Sequence, residues 1–115
     1  MNHWSAEETA FRCQRLSVRL EQLAQTFEEM AVLSQDETQA EAVLARLRLS
    51  KGYLELTAID LDVETAYELA QMQRQLSRWH LHWGNTWADH DSRVALFSLT
   101  QTWAAQIRAV AGVLV

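Results

Sequence analysis

Apolar residues recur along the first third of the chain at the spacing of one helical face. At 100° per residue, Ala6, Ala10, Cys13, Leu16, Leu20, Leu23, Phe27 and Met30 form one continuous stripe. Trp4, Phe11 and Val18, seven apart, fall on the opposite side of the same helix and cannot join that stripe. The segment 37–58 is two-faced in the same way. Val43, Leu47, Leu54 and Leu61 mark one side, and Ala42, Leu49, Tyr53 and Leu56 lie about half a turn away. Leu69, Met72, Leu76, Trp79 and Trp83 mark a third helix, with Trp87 extending the line. Leu96, Leu99, Trp103, Ile107, Val110 and Leu114 mark a fourth.

Boundary signals divide these stripes into four helices, approximately 5–33, 37–58, 62–83 and 88–113. Ser5 with Glu8 has capping-box spacing, and the Ser34 to Thr38 segment supplies a turn and a second cap. Asp62 can cap the third helix, and Gly84-Asn85 reads as its stop. Thr86 with Asp89, or Asp91 with Ser92, can cap the fourth. The expected fold is all-α: an antiparallel four-helix bundle in a single domain spanning 1–115.

Composition supports helix throughout. There is no proline, there are three glycines, and 49% of the 115 residues are hydrophobic, enough for a core without disulfide or metal support. Fifteen acids against ten bases give a net charge of −5 with no basic stripe, which argues against direct nucleic-acid binding. The start MNHWSAEETA lacks an apolar signal region, and AVAGVLV is too short to span a bilayer, so a cytoplasmic chain without membrane contact is expected. Cys13 reads as a buried free thiol on the first stripe.

The stretch SRWHLHWGNTWADHD, residues 77–91, holds three of the five tryptophans and three of the four histidines. Trp79, Trp83, Trp87 and Trp103 are expected to stack at one end of the core, and with His80 they define the candidate ligand end. His80 and His82 diverge by about 200° on a helix and cannot grip one ion together, so neither metal nor cofactor is expected there. A free Met1-Asn2-His3 terminus has the donor set of a square-planar Cu(II) or Ni(II) site, a tripeptide that also arises often by chance.

Two short motifs resemble known helical families. Lys51-Gly52 resembles the Lys-Gly pair of histidine-containing phosphotransfer domains, whose phosphoacceptor His lies three residues earlier. Arg48 occupies that position here, and Tyr53 and Leu54 replace the small residues that follow, so the resemblance implies a signalling bundle without its nucleophile. Arg74 and His80, six apart, are faintly similar to the Arg-to-His motif of HEPN ribonucleases, which would make His80 a proton carrier and Arg74 or Arg78 a phosphate stabiliser. Asp60-Leu-Asp62-Val looks like the nucleophile motif of haloacid-dehalogenase-type phosphatases, but that chemistry needs a strand and a larger α/β fold, and helix capping explains both aspartates.

The unmatched apolar faces direct the functional expectation. Trp4, Phe11, Val18, Leu49, Tyr53 and Leu56 are read as an interface for a protein partner, a second copy or a heteromeric subunit. The chain is then a non-enzymatic interaction module: an adaptor, a small regulatory subunit or an assembly chaperone. The alternative is a fold in which the first helix or a terminal segment covers the second face.

Overall fold

A computed structural model describes residues 5–113. Within them the chain forms six α-helices: α1 (Ala6–Arg12), α2 (Leu16–Leu33), α3 (Ala40–Ala58), α4 (Val63–Leu81), α5 (Trp83–Ala88) and α6 (His90–Val113), with a 3-10 turn at Glu37–Gln39 before α3. No strand occurs among the described residues. The smallest dimension, 20 Å, is that of two helix layers.

Most of the caps expected from the sequence form. Ser5 accepts from the Glu8 amide at 3.1 Å, and Glu8 returns the bond to the Ser5 amide at 3.2 Å. Asp62 accepts from the Thr65 amide; at the start of α6 Asp89 accepts from both the amide and the hydroxyl of Ser92, in place of the expected Thr86–Asp89 or Asp91–Ser92 pairs. Asp36 does the same for Thr38 in the turn before α3. These hydrogen bonds favour the ionised carboxylates and hold Asp36, Asp62 and Asp89 below the usual aspartate range.

The first expected helix is two. α1 ends at Arg12, and α2 begins at Leu16 with no side-chain cap. Neither proline nor glycine marks the break. Its cause is tertiary: Phe11 and Leu20 lie on opposite sides of a straight helix, yet both are buried. Bending at Cys13–Arg15 swings Phe11 onto α3, where its ring stacks on Tyr53 with centroids 3.8 Å apart and planes within 8°. At Gly52 an added Cβ would meet only the end of the Glu8 side chain, which can move aside. The bend also corrects the expectation for Cys13, which is exposed.

α2 packs against both α3 and α6. Arg46 meets Glu29 at 2.7 Å, while Arg19 at the other end of α2 reaches Asp60 just beyond α3, so α2 and α3 run in opposite directions. Arg108 near the end of α6 pairs with Glu21 at 2.9 Å and with Glu28, which reverses α6 against α2. Leu20, Leu23, Phe27 and Met30 of α2, Val43, Leu47 and Leu54 of α3, Leu69, Met72 and Leu76 of α4, and Leu96, Trp103 and Ile107 of α6 form one core.

The third expected helix also divides. α4 stops at Leu81, His82 leaves helical geometry, and Gly84 lies inside the six-residue α5 instead of ending a helix. No described residue has a positive φ, so the left-handed glycine stop expected at Gly84 is absent among them. Asp89 in extended conformation then turns the chain into α6.

Candidate functional site

Of the six residues expected to form an exposed interface, three are core. Phe11 is 2% exposed, Tyr53 7% and Leu56 3%. Val18 and Leu49 are half-buried, and Trp4 lies outside the described residues, as do His3 and Leu114. On the second face of α3, Tyr53 is thus covered within the chain by Phe11 of α1, while Ala42 and Leu49 stay half-buried. Burial raises the Tyr53 hydroxyl above its ordinary pKa, helped by the nearby Glu7 and Glu8 carboxylates.

The tryptophan-rich segment serves two places. Trp79 of α4 meets Trp103 of α6 at 5.7 Å, and Trp103 meets the edge of Phe27 at 5.3 Å, an aromatic chain through the core. Trp83 and Trp87, one turn apart on α5, sit half-buried at its margin with centroids 5.4 Å apart. The Trp87 indole donates to the Glu37 carbonyl at 3.0 Å. Arg93 lies 5.9 Å from the Trp87 ring centroid, donates to the Trp87 carbonyl and pairs with Glu37 at 3.2 Å. This network ties α5 and α6 to the turn before α3.

The histidines of this segment separate. His82 and His90 are exposed, and His80 points to α3, where its Nδ1 lies 3.2 Å from the Lys51 ammonium. Burial, then the charges of Lys51 and Arg48, hold His80 below the ordinary imidazole range. Arg74 is exposed. Among the described residues no three His, Cys, Asp or Glu side chains converge on a metal position, and no helix is long and apolar enough to cross a membrane.

A surface that the sequence analysis treated as core opens between α4 and α6. α4 packs mainly on α3 and α6 mainly on α2, so the α4 and α6 backbones stand apart and are bridged by the Trp79–Trp103 contact. Between them runs a groove of about 670 Å³ with Met72, Leu99, Trp103 and Val110 in its floor. Gln71, Gln75 and Gln106 line its sides, and Glu68 is the one charged side chain in the lining. Tyr67 and Val63, one and two turns before Gln71 on α4 and outside the groove lining, are 65% and 86% exposed. The sequence signal was the neutral pair Gln71 and Gln75, one turn apart where a solvent-facing helix more often carries charge. Comparison with family models, with curated proteins and with solved structures returns no match, so the functional reading rests on this geometry.

Proposed function

We propose that this chain is a non-enzymatic protein-interaction module that pairs with a second copy of itself through the face formed by α4 and α6. In this reading α2, α3, α4 and α6 are the rods of an antiparallel four-helix bundle, α1 is a cover laid on α3, and α5 is a strut at one end. The observation that carries the proposal is an open apolar groove lined by Met72, Leu99, Trp103 and Val110, with the exposed Tyr67 one turn before Gln71 at its edge.

A two-fold interface needs a self-complementary patch in which a projecting residue of each copy fills a recess of the other. A tyrosine at the rim of a tryptophan-floored groove supplies both halves, and large aromatic residues dominate the energy of such contacts. The rim suits a second copy of an acidic chain, because three glutamines and a single acid, Glu68, line it and few like charges are brought together.

Substitution tests this directly. Tyr67→Glu changes an exposed side chain, so helicity by circular dichroism should be unchanged while the dimer dissociation constant rises tenfold or more, about 1.4 kcal/mol. Leu99→Glu should act in the same direction from the floor of the groove. Val32→Glu, at an exposed position of α2 outside the groove lining, should leave association unchanged. Unaltered association in Tyr67→Glu would refute the assignment of this face.

A further inference from the structure

We propose that α1 exchanges between copies of this chain: it leaves its own α3, straightens into one continuous helix with α2, and lays Phe11 on Tyr53 of a second copy. Residues 6–33 carry the pattern of an uninterrupted helix with neither proline nor glycine among them, yet they fold with a bend at Cys13–Arg15. The bend leaves the first amides of α2 without a capping side chain. In the straight form the carbonyls of Arg12, Cys13 and Gln14 accept from the amides of Leu16, Ser17 and Val18. Straightening therefore adds backbone hydrogen bonds, and its cost is the loss of the contact between α1 and α3.

A second copy restores that contact. The Phe11–Tyr53 stack attaches α1, and no ion pair joins α1 to another element among the described residues. The same stack forms with the Tyr53 of another chain, so exchange sacrifices no apolar burial. The polarity also fits. Glu8 lies against Gly52 and Phe11 against Tyr53, so α1 runs toward the end of the bundle where Arg19 of α2 meets Leu56. A straightened α1 projects past that end, in the direction that a copy related by a two-fold axis and meeting it end to end receives on its own α3. The tethered α1 competes at an effective concentration on the order of millimolar, so exchange belongs to concentrated protein and a micromolar solution keeps α1 at home.

Exchange is independent of pairing through α4 and α6, because no residue of α1 or the bend lines that groove. The test mixes two chains near millimolar concentration in an oxidising glutathione buffer, one carrying Glu8→Cys and the other Gly52→Cys. Both also carry Cys13→Ala, which removes the native thiol, and Tyr67→Glu, which removes the proposed pairing. A disulfide between the two chains should accumulate, since residues 8 and 52 meet only where α1 is seated on α3. Arg15→Pro in both chains tests the straightening itself. Arg15 has a φ of −61° and its amide makes no backbone hydrogen bond, so proline suits the bend and breaks the continuous helix. The initial rate of cross-linking should fall roughly a hundredfold with Arg15→Pro and about fivefold with Arg15→Gly. No disulfide between the chains, or a rate that both hinge variants leave unchanged, would overturn the exchange.

Discussion

At the scale of single residues, the least anticipated group is Arg19. It lies on α2, is almost wholly buried, donates to the Leu56 carbonyl near the end of α3 at 2.5 Å and pairs with Asp60 at 2.8 Å. The guanidinium thus satisfies a carbonyl in the last turn of α3 and offsets the negative end of its dipole. Arg19→Ala should cost about 2–3 kcal/mol, from the unpaired buried carbonyl and lost stem packing. Asp60→Ala should cost about 1–2 kcal/mol, less than a fully buried pair because Asp60 is half exposed. Denaturant midpoints measure both, and Asp60→Ala costing more than Arg19→Ala would contradict this account. Neither role was legible in the sequence, since what Arg19 meets lies 37 positions away. The same holds for Lys51 and His80, 29 apart. Caps could be read in advance because their partners lie within three residues, as at Ser5 and Asp62.

At the scale of elements, periodicity located the helices and missed two breaks. The stripe of α2 from Leu20 to Met30 is core as expected, but its apparent continuation through Ala10 and Cys13 is exposed. A two-faced helix allows two solutions, a partner on the second side or a bend that turns the second side inward. The chain takes the bend between α1 and α2, and no local residue announces it. At Gly84 a composition signal was read as a stop, yet the chain turns at His82 and Asp89, where the α5 tryptophans reach the turn before α3. α1 is held on α3 by the Phe11–Tyr53 stack. Phe11→Ala should therefore release α1 alone. Hydrogen exchange should show amides 6–12 losing protection while those of α2 and α6 keep theirs. Equal loss across all helices would mean that α1 is an integral part of the core.

At the scale of the whole molecule, the helices divide by how well they are covered. α2 is flanked by α3 and α6, and α3 is covered by α1, α2 and α4. α4 is packed mainly on α3 and carries Val63, Tyr67 and Leu81, three of the most exposed large apolar residues. In the proposed pairing, closing the groove and the neighbouring Tyr67 against another copy removes both from water. The most direct test is the absolute mass of the unmodified protein, by light scattering after size exclusion over a hundredfold range of concentration. The account predicts twice the mass of one chain, falling toward one chain on dilution and at every concentration in Tyr67→Glu. A single-chain mass across the whole range would contradict it.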